Sequence, residues 1–132
     1  MKEYMLLIRN EMDHQASWSA DKHQSFLKAC EAYINQLTLQ NNLISAQPMV
    51  REGTIITGTK DHWKLFPISD HKIVQVGYYH ILASNIEEAI EIAKGNPEFE
   101  FSSTATIEVR PLKMKEEKTG FTYPNKEAKP LF

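Results

Sequence analysis

The five histidines, at positions 14, 23, 62, 71 and 80, are the residues of this chain best suited to proton transfer or metal binding. Imidazole is the side chain whose ordinary titration falls near neutral pH. Neighbours within each group stand nine apart, a spacing that gathers them neither on one strand face nor on one helix face. The residues that follow His62, His71 and His80 share no pattern, so the spacing is not a repeat. Asp13 and His14 could meet His80 in space, but loop residues and one strand histidine are the plainer reading, and no metal is expected. Cys30 is the only cysteine. It falls in an apolar stripe with Phe26 and Tyr33, where a buried, inert thiol is the better expectation than a nucleophile. His23 reads as a surface histidine in the first turn of a helix.

A pocket is the remaining candidate. Tyr78 and His80 share one face of a strand, and Glu108 and Arg110 share the face of another opposite Ile107 and Val109. A tyrosine, a histidine and a carboxylate in an apolar cleft would suit a small molecule. Tyr78, His80 and Glu108 are therefore candidate ligand-binding residues, with Arg9, Asp13, His14 and Trp18 at the rim, after the first strand. Catalytic residues are not assigned. The chain has no P-loop, nucleotide-binding glycine fingerprint, zinc-protease motif or serine elbow.

The elements that would position these residues are legible. Tyr4 to Arg9 is a continuous apolar run, as in a central strand. Ser19 should cap a helix carrying Phe26, Cys30, Tyr33, Ile34 and Leu37 at helical spacing, ending near Gln40 to Asn42. Leu43 to Val50 leads into a second strand. Thr54 to Thr57 and Trp63 to Phe66 are short and β-prone, with a turn signal from Gly58 to Asp61 between them. Val76 to Leu82 is β-branched, aromatic and aliphatic, with Val76, Tyr78, His80 and Leu82 expected on one face. Asn85 and Glu88 form a capping-box pair ahead of Ile86, Ala89, Ile90 and Ala93; Lys94, Gly95 and Pro97 stop that helix, and a loop follows. Thr106 to Arg110 alternates as a closing strand.

Three of these stretches resemble a known family. Gly77-Tyr78-Tyr79, the run Ile86 to Ala93, and Ile107-Glu108-Val109-Arg110-Pro111-Leu112 look like the C-terminal half of the YCII-related proteins, in their DGPF branch. Glu3-Tyr4-Met5-Leu6-Leu7-Ile8 resembles the family's opening strand, so the likeness covers roughly residues 2 to 112. It implies a ferredoxin-like α+β domain, βαββαβ with an extra central hairpin, that pairs into a dimeric α+β barrel. Leu65-Phe66-Pro67-Ile68 stand where the family carries its DGPF signature, and only the proline is kept. In the wider group a histidine on the first helix is proposed to work with an acidic residue. The matching position here falls near Cys30, and His23 lies seven residues earlier, so that pair is not matched.

At 132 residues the chain fits one domain over residues 1–112, and residues 113–132 read as a lysine-rich tail, disordered or docked through Phe121, Tyr123, Leu131 and Phe132. A formal net charge of −2 without single-sign blocks gives no reason to expect nucleic acid or an anionic membrane as partner. The apolar N-terminus is too short and too charged to span a bilayer, and a lone cysteine suits a reducing compartment; the expected location is the cytoplasm. The expected protein is thus a homodimer that binds a small molecule in a cleft at the sheet face, without a cofactor, with acid–base catalysis open. The alternative is a non-catalytic regulatory or protein-interaction module, which the association of DGPF-type proteins with transcription regulators favours. A monooxygenase of the dimeric-barrel class is a third reading.

Overall fold

The computed structural model describes residues 1–125. The elements follow in the order β1 (Lys2–Glu11), α1 (Ala20–Leu39), β2 (Leu43–Pro48), β3 (Thr54–Thr59), β4 (His62–Pro67), β5 (Ile73–Ala83), α2 (Ile86–Lys94), α3 (Pro97–Phe101) and β6 (Thr106–Pro111). Strands β2-β5-β1-β6 form an antiparallel four-stranded sheet in that spatial order. The fold is α+β, and without the β3–β4 hairpin its order of elements is compatible with a ferredoxin-like fold.

Both long helices begin where side-chain chemistry places them. Ser19 accepts a hydrogen bond from the Lys22 N–H at 3.1 Å and caps α1. Asn41, at φ 60°, takes the left-handed turn just beyond its C-terminus. Asn85 caps α2 by accepting from the Glu88 N–H at 2.9 Å, while Glu88 Oε1 accepts from the Ser84 N–H at 2.9 Å. The chain does not continue as a loop after Gly95: Asn96 and Pro97 start the short helix α3, with proline in its first turn, where no intrahelical N–H bond is needed.

The core lies between the sheet and the helices. Tyr4, Leu6 and Ile8 of β1 point into it with Tyr79, Ile81 and Ala83 of β5 and Ala89 and Ala93 of α2. Tyr33 ties the layers together: its ring meets that of Tyr79 at 5.3 Å, and its hydroxyl donates to Ile92 O at 2.6 Å. An irregularity in the β1–β5 pairing corrects the expected face of Val76. Ile8 pairs with Gly77 and Arg9 with Gln75, so Val76 is the extra residue of a bulge and is buried in the core, not placed beside Tyr78 and His80. Gly77 fits closely at that bulge: a Cβ there would meet Gln47 O at 3.1 Å and Pro48 Cα at 3.3 Å on β2.

The central hairpin is a separate two-stranded sheet, β3 with β4. Gly58 sits at φ 126°, and a Cβ there would fall 2.0 Å from His62 O. Ile56, Trp63 and Leu65 on this hairpin are each more than half exposed. Beyond β6, residues 113 to 125 make a small turn closed by a bridge between Lys115 and Thr122. Asn125 Nδ2 donates to both carboxylate oxygens of Glu3 at 2.8 Å, which lays this segment against the sheet. Leu131 and Phe132, expected to help dock the tail, lie outside the described residues.

Candidate functional site

The sheet has one face under α1 and α2 and one without a helix, and the two carry different groups. On the face without a helix, Tyr78 lies beside Leu7, and His80 beside Met5. Glu108 and Arg110 of β6 are exposed there, 3.4 Å apart, and Arg9 is exposed near the far end of β1. His80 is not left facing an open cleft: its Nε2 lies 2.7 Å from Glu3 Oε1, and the 113–125 segment borders the small depression beside it. Tyr78, His80, Glu108 and Arg9 thus share one face, and Asp13, His14 and Trp18 do not join them.

The larger cavity is on the helix side. It has a volume of about 580 Å³ and runs between α1 and the β1–β5–β2 part of the sheet. Phe26, Cys30, Ile34, Val76 and Tyr79 give it apolar walls, and Glu31, Arg51, Asn96 and Glu98 are among its polar groups. The volume and the mixture of apolar walls with few polar groups suit a small organic molecule.

Glu98 is the centre of a buried network at this cavity. It is the second residue of α3 and is 5% exposed. Asn10, fully buried on β1, donates from Nδ2 to Glu98 Oε1 at 3.0 Å. His14 Nε2 lies 2.8 Å from the same oxygen, with both side chains almost wholly covered; the contact has ion-pair proximity without the alignment of a straight hydrogen bond. Among the described residues no hydrogen bond reaches Glu98 Oε2. Asn10 is itself fixed, since its Oδ1 accepts from Thr104 Oγ1 at 2.6 Å and from the Glu11 N–H at 2.8 Å.

The surroundings assign the tautomer of a neutral His14 ring. Nδ1 lies 3.2 Å from Arg51 Nη2, an obligate donor, and 3.2 Å from Glu11 O, an obligate acceptor. A proton on Nε2 lets Nδ1 accept from Arg51 and turns an N–H towards the Glu98 carboxylate. The opposite tautomer satisfies Glu11 O but sets N–H against guanidinium and a lone pair against carboxylate. The Nε2–H form is therefore favoured, and Arg51, His14 and Glu98 make a chain of three groups of complementary polarity.

Arg51 is anchored by backbone as well, Nε donating to Met12 O at 3.2 Å and Nη1 to Met49 O at 3.0 Å. Burial holds its guanidinium below the ordinary value, and the Glu98 charge works in the other direction. Cys30 lines the cavity but is poorly suited to be a nucleophile: burial first, and then the Glu98 charge, push its thiol up to about 11. Burial likewise raises the Tyr33 phenol, with Asn96 partly offsetting it, and the Tyr79 phenol.

His14 is thus brought into a buried cluster, with Glu98 and not with His80. Trp18 stands beside it, ring to ring at 5.7 Å, and also meets Phe26 at 5.2 Å. Asp13 lines a shallower polar depression on the other side of His14. Glu98, Asn10, Asn96 and Arg51 were not singled out from the sequence. The signal for Glu98 was Asn96-Pro97-Glu98, a cap, a proline and an acid at a helix start. Among the described residues, no group of three or more His, Cys, Asp or Glu side chains could hold a metal ion, and no helix is long and apolar enough to cross a membrane. No family model matches the chain, and no curated protein matches it.

Proposed function

We propose that this chain is a YCII-related homodimeric enzyme that moves a proton on a small organic substrate, with Glu98 as the base. The observation that carries this reading is the Glu98 carboxylate at the cavity wall, with Oε1 held by Asn10 and approached by His14 Nε2 at 2.8 Å. The Asn10 hydrogen bond and the close His14 ring hold Oε1 in place and leave the other oxygen for substrate. The apolar part of the lining lowers the polarity around it, which strengthens its interaction with a developing charge. His14, with Arg51 behind it, positions Glu98 and is not required to touch substrate. The expected cleft moves accordingly from the face bearing Tyr78 and His80 to the face under α1. Cofactor-free action in the cytoplasm belongs to the same proposal, and a single cysteine agrees with that compartment.

The dimer is supported by the sheet face that no helix covers. Met5, Leu7, Tyr78 and Leu82 lie there only partly buried, and a second copy packed face to face would cover them by an isologous contact.

Proton transfer is tested without knowing the product. Small aldehydes, ketones and keto acids are incubated with the protein in heavy water, and deuterium uptake at carbon is followed by NMR. Uptake that falls roughly a hundredfold or more in Glu98→Gln supports the reading. No uptake from any compound, or equal uptake with the variant, removes it.

A second reading has its own observation. The β3–β4 hairpin exposes Ile56, Trp63 and Leu65 on a two-stranded sheet, as a protein-interaction arm would. It predicts that Trp63→Ser and Leu65→Ser abolish binding to a transcription regulator while leaving the cavity unchanged.

A further inference from the structure

Arg51 is a guanidinium in a partly buried setting without a carboxylate within ion-pair distance among the described residues. Three of its five N–H groups are used, towards Met12 O, Met49 O and His14 Nδ1. One N–H on Nη1 and one on Nη2 remain, and the residue lines the cavity. A second donor lines the same cavity: Asn96, 4% exposed, has its Nδ2 buried near the Tyr33 phenol without a well-aligned hydrogen bond, while its Oδ1 is occupied by the Glu98 N–H at 2.8 Å. Leaving a buried amide donor poorly paired is costly, and an acceptor brought by a ligand would satisfy it together with the remaining N–H groups of Arg51.

We propose that the cavity takes a small monocarboxylate with an apolar body, its carboxylate on the Arg51 guanidinium and the Asn96 amide. The planar fork of arginine matches a carboxylate, and a charge-assisted pair in this setting is strong. Phe26, Ile34, Val76 and Tyr79 would meet the apolar body. Glu98 shares the cavity and sets the charge limit. The exposed Glu31 of α1 lines it too; with two carboxylates beside one guanidinium, a monoanion is taken more readily than a dianion such as phosphate. The assignment deepens the proton-transfer reading and rests on it for the reacting carbon, which must lie within reach of Glu98 when the carboxylate is on Arg51. A keto acid or an unsaturated acid has that arrangement.

The test uses hexanoate and benzoate, each against its own amide, with inorganic phosphate as a third probe, titrated calorimetrically into the full chain. Both acids are expected to bind the wild type about tenfold or more tightly than their amides, and phosphate more weakly than either. Arg51→Gln should remove the preference for acid over amide. Equal binding of acid and amide, absence of acid binding at millimolar concentration, phosphate binding as tight as hexanoate, or a preference that survives Arg51→Gln would each overturn the proposal. Should Arg51→Gln not fold, as judged by its thermal melt, the acid–amide comparison on the wild type decides alone. Glu98→Gln separates the two readings, since it should bind hexanoate at least as tightly as the wild type while losing deuterium exchange. Arg51-dependent acid binding without exchange in the wild type would sink only the proton-transfer reading. Exchange on neutral carbonyls without any acid preference would sink only the carboxylate site.

Discussion

Asn10 and Glu98 stand 88 residues apart in the chain, and Asn10 Nδ2 donates to Glu98 Oε1 at 3.0 Å in the interior. The bond joins a central strand to a helix of five residues that could not hold a side chain in place by itself. Asn10 also reaches the segment after α3 through Ser102 Oγ at 3.1 Å and Thr104 Oγ1 at 2.6 Å. One amide thus holds Glu98 and the chain that follows it.

Asn10→Ala should therefore destabilise the protein by about 2–3 kcal/mol, because it leaves the Thr104 hydroxyl and the Glu98 carboxylate short of buried partners. Urea unfolding gives the value. A loss below about 0.5 kcal/mol would show that water replaces the amide without cost.

Cys30 should react slowly with iodoacetamide. With its thiol pushed up to about 11, roughly one part in a thousand is thiolate at pH 8. Glu98→Gln removes the second cause of that shift but not burial, so alkylation should quicken only severalfold. Reaction at the rate of a free thiol in the wild type would contradict the burial.

Alkali should unfold the protein before it harms an ordinary domain of this size. Cys30, Tyr33 and Tyr79 all have raised values when folded, chiefly from burial. The unfolded chain therefore releases these protons first, from ordinary values of 9.0 for the thiol and 10.0 for the phenols. Their contribution to stability is complete below about pH 8 and is lost from about pH 9 upward, through about 11 for Cys30 and beginning near 10.0 and running higher for the two phenols. Thermal melts across that range should show the midpoint falling, and Tyr33→Phe should flatten the fall.

Gly77→Ala should cost about 1–2 kcal/mol, since its Cβ would lie 3.1 Å from Gln47 O and press β2 outward. β2 is an edge strand and can yield by a few tenths of an ångström, so the fold should survive. Urea unfolding reads the cost, and a neutral effect would mean that the bulge is loose.

Leu7→Glu on the face without a helix should convert a dimer to a monomer in sedimentation velocity, because it sets like charges of the two copies in the apolar contact. A wild-type protein that sediments as a monomer at micromolar concentration ends the dimer proposal at once.

Most of the fold was legible locally. Ser19, Asn85 and Glu88 act as caps where their types and spacing put them, since a cap is made within one turn of chain. The β3–β4 hairpin follows from Gly58 and the two β-prone runs around it. The face of Val76 was not legible. Strand alternation assumes regular pairing, and the bulge opposite Ile8 and Arg9 depends on which strand lies alongside.

The amino-acid sequence determined most of the elements and their ends, because these rest on interactions between residues a few positions apart; the short helix α3 and the face of Val76 were the exceptions. It also marked His14 as a residue able to move protons, by type alone. Only the tertiary structure decided its partner. His14, Arg51 and Glu98 come from two loops and a short helix, and Asn10 comes from a strand. Their meeting depends on β1 lying at the centre of the sheet with α3 folded back over its end, which no spacing along the chain encodes. The same packing turned Tyr78 and His80 to the face away from the cavity, since adjacent strand residues point to opposite sides and Tyr79 is the one taken by the core.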